Sequence, residues 1–225
     1  MKRPREQGSS SYSKPWLLVT GQPGSGKTTL VKKVAEALAK QGGLALRGFI
    51  TEEVLDGRGQ RQGFDIVTLP DGKRGVLSRK DGKKGQPKTG KYSVDVESIN
   101  QLAVPTLRPA SSDEIIVIDE IGRMELHSAP FRKAVQKLMA DKSRVFGAVT
   151  APIYGHRVAF CDELTSQEEN VSVFRIKASN RDAVSTQVQS LLLGSWAQAA
   201  PLKAKKRKGA SSCHSTRTPS ARDAL

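Results

Sequence analysis

Cysteine is nearly missing from this chain of 225 residues, which contains only Cys161 and Cys213. Two such residues make neither a disulfide framework nor a metal-ligand spacing, and they suit a reducing compartment. Histidine is equally scarce, at three. His127 and His156 stand apart, with no ligand spacing and no nucleophile partner, and are read as structural. No apolar run approaches membrane-spanning length. The N-terminus carries Lys2, Arg3 and Arg5 but no apolar stretch of the kind a secretory signal needs. Those basic residues and the nearby serines leave a short mitochondrial presequence open, though nothing amphipathic follows them. The expectation is an intracellular protein, cytoplasmic or nuclear, with no membrane contact and a monomeric state.

Acidic charge is also in short supply, but unevenly. The net charge is +15. Residues 1–13 carry +2, residues 196–225 carry +6 and residues 70–91 carry another +6. The remainder is nearly neutral, so the high pI belongs to the two ends and one internal segment. Residues 1–14 read as a disordered extension, 15–194 as one globular domain, and 195–225 as a disordered basic tail. The tail cluster Lys203-Ala204-Lys205-Lys206-Arg207-Lys208 fits an import-receptor signal or a weak nucleic-acid contact. A solvated tail without a partner fits it as well. No aromatics interleave with its lysines, which disfavours a base-stacking platform.

What is present in strength is glycine at one place. Gly21-Gln22-Pro23-Gly24-Ser25-Gly26-Lys27-Thr28 matches the phosphate-loop pattern G-x-x-x-x-G-K-[ST]. A triphosphate needs many donors at close range. Glycines let successive backbone N–H groups turn inward where side chains would obstruct them. Lys27 adds a mobile charge for the β- and γ-phosphates, and the Thr28 hydroxyl is placed for Mg²⁺. The apolar run Trp16 to Val19 precedes the loop as a buried strand. Leu30, Val31, Val34, Ala35 and Leu38 fall on one helical face after it, and Gly42 and Gly43 end that helix.

Further strands are expected over Leu44 to Val54, Gly63 to Leu69, Lys91 to Val96, Ile115 to Ile118, Val145 to Val149 and Val171 to Ile176. Helices are expected over Phe131 to Met139 and Arg181 to Leu193. Leu102 to Leu107 contains Pro105 and reads as irregular or short helix. Residues 70–91 read as a long mobile loop. Arg61, Arg74 and Arg79, near or in it, either close over a nucleotide as a lid or form a solvated face, and the solvated face is preferred. Strands alternating with helices argue for an α/β fold with a mostly parallel central sheet.

The continuous apolar strand at 115–118 ends in Asp119-Glu120. Ligands of open α/β sheets collect at the carboxyl ends of the strands, so Asp119 is placed to hold Mg²⁺ or one of its waters. Glu120 beside it can accept a hydrogen bond from water and aim that water at the γ-phosphorus. A placed water-orienter is what hydrolysis needs, whereas a kinase needs a pocket for an acceptor hydroxyl. Arg123 either stabilises γ-phosphate charge from within the chain or pairs with a neighbouring acid such as Glu125. Arg181 is placed to stack on the base, while Ser179 or Asn180 serves as N-cap of the last helix, and both can hold at once.

Thr51-Glu52-Glu53-Val54, Gly63-Phe64-Asp65-Ile66-Val67-Thr68-Leu69, Gly90-Lys91-Tyr92-Ser93-Val94-Asp95, Asp119-Glu120-Ile121-Gly122-Arg123-Met124-Glu125-Leu126 and Asn180-Arg181-Asp182 follow in order. With the phosphate loop, these blocks resemble the cancer-related nucleoside-triphosphatase family, small P-loop NTPases first known from thermophiles. The likeness covers about residues 15–194. It implies a RecA-like αβα sandwich and slow, Mg²⁺-dependent hydrolysis of ATP, GTP and other triphosphates (CTP and UTP included) to diphosphate and phosphate, with low base specificity. The expected nucleotide contacts are Gly21, Gln22, Pro23, Gly24, Ser25, Gly26, Lys27, Thr28, Thr29, Asn180 and Arg181. Thr28 and Asp119 are the expected metal residues, and Lys27, Glu120 and Arg123 the expected catalytic ones. Two features depart from the pattern. Ala148-Val149-Thr150-Ala151-Pro152 replaces the family's usual Pro-containing turn after Gly147, and the tail after Gly194 has no family counterpart. The rival readings are a nucleotide or nucleoside kinase, and a nucleic-acid-binding module that uses nucleotide as a switch.

Overall fold

A computed structural model of the chain describes residues 13–40, 44–150 and 157–196. Both chain ends, the basic tail, Gly42, Gly43 and His156 lie outside the described residues. In chain order the elements are β1 (Trp16–Gly21), α1 (Lys27–Lys40), β2 (Leu46–Leu55), β3 (Arg61–Thr68), β4 (Arg74–Arg79), β5 (Lys88–Thr89) and β6 (Tyr92–Val94). A helical run follows: α2 (Val96–Ser98), a π-turn over Ile99–Ala103 and α3 (Val104–Thr106). Then come β7 (Ile115–Ile121), α4 (Ala129–Ala140), β8 (Arg144–Val149), α5 (Ala159–Thr165), β9 (Val171–Ile176) and α6 (Arg181–Ser195).

The nine strands of the described residues join one sheet in the order β5-β6-β4-β3-β2-β7-β8-β1-β9. Pairing is parallel from β2 through β7, β8 and β1 to β9. It is antiparallel from β2 outward to β5. The strand β2 therefore joins two half-sheets, a parallel one that carries the phosphate loop and an antiparallel extension.

Alternation along β1 fills both faces. Trp16 and Leu18 join one core with Phe131, Val135 and Leu138 of α4, Leu164 of α5 and Ile99 and Ala103 of the π-turn. Leu17 and Val19 join the other with α1 and α6. The result is an αβα sandwich. In α1 the expected stripe of Leu30, Val31, Val34, Ala35 and Leu38 is buried. Each of its larger side chains gains about 1.5–3 kcal/mol by leaving water, before entropy is counted. No acid stands in the first turn of α1, so its N-terminal N–H groups and dipole remain directed at an incoming anion.

The expectation of a mobile loop over residues 70–91 is overturned. That segment contains β4 and β5, and Leu77 and Ser78 are buried. Arg74 and Arg79 are held by ion pairs and do not form a lid, and Arg74, with 51% of its side chain accessible, sits on a solvated face as expected. Arg74 pairs with Glu52 and, at 3.1 Å, with Asp65, while Arg79 reaches Asp65 at 2.5 Å and the Phe64 carbonyl at 2.8 Å. Glycine and lysine dominate the segment's composition, but Asp65 on β3 gives its arginines a fixed counter-charge. The helix α5 was not anticipated; its short sequence carries little periodicity. The run at 102–107 is indeed short helix, with Pro105 in its first turns.

Gly48 shows how tightly β2 sits on β7. It holds φ at +100°, and a Cβ there would lie 1.8 Å from the Val117 carbonyl oxygen. Gly48→Ala should cost at least about 2 kcal/mol of stability. Urea denaturation would show a lowered midpoint, and an unchanged midpoint would contradict this register.

Candidate functional site

The parallel strands β1, β7 and β8 end on the same edge of the sheet, and the phosphate loop leaves from there. Gly21 closes β1 against β9; a Cβ on it would meet the Ile176 carbonyl at 2.4 Å. Gly24 and Gly26 take φ values of +79° and +96°, backbone that side chains disfavour. The loop thus curls into the first turn of α1. The Lys27 ammonium donates to the carbonyls of Gly21 at 3.2 Å and Gln22 at 3.5 Å. It lies 3.4 Å from Glu120 Oε2.

The strand β7 extends beyond the expected apolar run and includes Asp119 and Glu120. Its ladder with β8 breaks between Ile118 and Ile121, and the Asp119–Glu120 peptide is cis. Asp119 is fully buried. Its Oδ2 accepts from the Thr51 hydroxyl at 3.1 Å and more weakly from the Thr51 N–H at 3.4 Å. Its Oδ1 is buried without a hydrogen-bond partner. Burial pushes the Asp119 carboxyl up to about 6; the Glu120 charge adds to this, and the Thr28 and Thr51 hydroxyls oppose it. An orphaned, desolvated carboxylate oxygen beside a phosphate loop is what a cation would satisfy. Among the described residues no group of three or more His, Cys, Asp or Glu is arranged to hold a metal.

Glu120 remains partly exposed, with 29% of its side-chain surface accessible. Its Oε1 accepts from the Thr150 hydroxyl at 2.9 Å, and its Oε2 faces Lys27. Arg123 is half-buried on the turn that follows. One cavity of about 440 Å³ collects Gly21, Pro23, Gly24, Lys27, Thr28, Glu120 and Arg123. The rest of its lining is Thr51, Glu53, Arg61, Phe64, Leu77, Thr89, Met124, Glu125 and Thr150. Gln22 and Thr29 are exposed and Ser25 and Gly26 sit deeper in the loop; none of the four lines the cavity.

Asn180 and Arg181 are also outside the cavity. Arg181 packs beside the loop: a Cβ on Gly26 would lie 2.7 Å from its Cδ. Asn180 occupies the N-cap position of α6, but its side chain makes no cap bond. It turns back instead, accepting from the Lys177 N–H at 2.7 Å and donating to the Arg175 carbonyl at 3.1 Å. His127 meets the Thr89 hydroxyl at 3.0 Å, in line with a structural role. Arg61 pairs with Glu53.

Thr51, Thr150 and Glu125 were not among the expected site residues. The first two are single hydroxyls from distant segments, visible only once β2 and β8 flank β7. Glu125 is buried in the turn after β7, where its carboxyl accepts from its own N–H and that of Gly122. Burial pushes it well above its ordinary value, and the nearby charges of Glu120 and Asp119 add to this. Cys161 is buried too, its thiol 3.4 Å from the Ile121 carbonyl and pushed up to about 12, chiefly by desolvation. That rules it out as a nucleophile at neutral pH.

A family model described as "NTPase" matches residues 16–189. The chain belongs to this NTPase family. It is 42% identical to the human protein named cancer-related nucleoside-triphosphatase, over 74% of this chain and 90% of that one. It is 36% identical to nucleoside-triphosphatase THEP1 of Methanothermobacter thermautotrophicus, over 78% and 95%. Among solved structures, the human cancer-related nucleoside triphosphatase superposes with a TM-score of 0.68 at 37% identity, covering 80% of this chain and 98% of that one. THEP1 from Aquifex aeolicus gives 0.66 at 34% identity, covering 78% and 98%. The family and fold expected from the ordered blocks are thereby established.

Glu125 gives a test with a definite sign. An acid whose pKa is raised by folding holds its proton more tightly in the folded state. Stability therefore falls as pH climbs from the ordinary value of 4.5 toward the folded one. Glu125→Gln lacks that loss, so its stability relative to the parent should rise with pH across this window and then level off. Urea denaturation from about pH 5 to about pH 8 reads this directly, and a difference constant with pH would show that Glu125 ionises normally.

Proposed function

We propose that this NTPase-family chain hydrolyses nucleoside triphosphates, ATP and GTP among them, to the diphosphate and phosphate with Mg²⁺ and little selection for the base. The supporting observation is that the phosphate loop and a partly exposed carboxylate meet in one cavity, with Lys27 3.4 Å from Glu120. The relatives' names point the same way.

In this reading the loop N–H groups and the first turn of α1 bind the polyphosphate. Lys27 contacts the β- and γ-phosphates, which draws its charge away from Glu120. Glu120, oriented by Thr150, then accepts a hydrogen bond from water and positions that water toward the γ-phosphorus. Arg123, on the cavity wall, meets charge that develops on the γ-phosphoryl oxygens. Thr28 and Asp119 would hold Mg²⁺, which when bound neutralises charge on the phosphate oxygens. Thr51 fixes the Asp119 carboxylate from behind. Arg181, outside the cavity and beside Gly26, is assigned to the base end with Asn180; stacking on a guanidinium tolerates any base.

Glu120→Gln should retain Mg²⁺-ATP binding yet hydrolyse it about 10²–10⁴-fold more slowly, the usual worth of a placed base. Equilibrium dialysis beside single-turnover phosphate release separates the two effects. Equal turnover would remove Glu120 from the mechanism.

A further inference from the structure

The cavity spans the phosphate loop and reaches past it to the antiparallel half-sheet. Its volume is about 440 Å³. It falls within the size range of small-molecule pockets, about 300–1,000 Å³. The base-end candidates do not use this space, because neither Asn180 nor Arg181 lines it. Beyond the loop, the lining includes Glu120 and the antiparallel half-sheet, where β3 contributes Phe64 and β4 contributes Leu77.

The chemistry of that wall differs from that of the phosphate loop. Phe64, Leu77 and Met124 are apolar, and water gains little beside them. Phe64 is held in place by the Tyr92 ring, edge-on with centroids 5.6 Å apart, and by the Arg61 guanidinium 5.3 Å from its centroid. Arg61 is itself ion-paired with Glu53, so charge on this side is compensated and a neutral ligand suits it better than a phosphorylated one. Thr89, steadied by His127, adds a hydroxyl to the rim. An apolar aromatic wall with a few donors and acceptors suits a flat heteroaromatic ring. The polar end, with Glu120 and Thr150, is left to the hydroxyls of an attached sugar.

Resting on the hydrolytic reading of the phosphate loop, we propose that the Phe64–Leu77–Met124 half of this cavity binds a nucleoside as an alternative phosphoryl acceptor. A nucleoside hydroxyl takes the place of the attacking water. Its oxygen forms the new bond to the γ-phosphorus as the bond to the β,γ-bridging oxygen breaks. The diphosphate leaves with that electron pair, and the hydroxyl proton passes to Glu120. The products are a nucleoside monophosphate and a nucleoside diphosphate. A bound, oriented hydroxyl reaches effective molarities of about 10⁵–10⁸ M, which lets it outcompete solvent.

The test supplies γ-³²P-ATP and Mg²⁺ to the full-length protein with saturating adenosine, guanosine, cytidine or thymidine, and separates the products. At least one nucleoside should acquire label. Phe64→Leu and Phe64→Ala should each lower the ratio of labelled nucleotide to labelled free phosphate about tenfold or more, a ratio read within one tube and so insensitive to the fraction folded. Label confined to free phosphate with all four nucleosides overturns the acceptor site and leaves hydrolysis standing. Label in neither product, with ATP unconsumed, overturns the hydrolytic reading along with it. Transfer at an unaltered ratio in both Phe64 variants overturns the placement.

Discussion

Lys27 reaches from the first turn of α1 to a carboxylate on a strand that is not its neighbour. The strand β8 lies between β1 and β7, which puts their axes about 9.5 Å apart at ordinary sheet spacing. A long, flexible side chain spans that gap; a short one would not. The loop glycines, the open first turn of α1 and the break in the β7–β8 ladder all serve this one juxtaposition. It sets a mobile positive charge between two groups of acceptors, the loop carbonyls and Glu120. In the proposed reaction a polyphosphate would compete for that charge and free Glu120 for a proton-bearing ligand. The site's two carboxylates differ accordingly: Asp119 is sealed in and backed by Thr51, whereas Glu120 is open to the cavity.

Burial of Asp119 carries an electrostatic consequence. A desolvated carboxylate with one unsatisfied oxygen is costly as an isolated charge, and its raised pKa expresses that cost. Glu120 adds like charge to the same corner. The clustering of acids becomes favourable only with positive charge close by, which Lys27 supplies from one side and a divalent cation would supply from another.

Much of this was legible in the sequence, for definite reasons. The phosphate loop declares itself because Gly24 and Gly26 must hold positive φ, a demand few other residues meet. Ile115 to Ile118 is apolar throughout because β7 lies between two helical layers. What could not be read came from long-range pairing. Residues 70–91 look like solvated loop because their arginines find Asp65 only when β3 folds alongside. Thr51 and Thr150 carry no local signal; they matter because β2 and β8 deliver them to either side of Asp119 and Glu120. The apolar wall of Phe64, Leu77 and Met124 draws on β3, β4 and the turn after β7, and no single stretch announces it. Asn180 shows the opposite limit: the cap position was legible, but its side chain bonds backward to Lys177 and Arg175.

The central claim is that the curled loop and Lys27 together grip a triphosphate. Equilibrium dialysis of labelled ATP with Mg²⁺ against the full chain and its Lys27→Ala variant measures this most directly, provided circular dichroism shows both folded. Saturable retention by the parent and its loss in the variant is the predicted result. Retention by the variant at the parent's affinity, or by neither protein, would contradict the account.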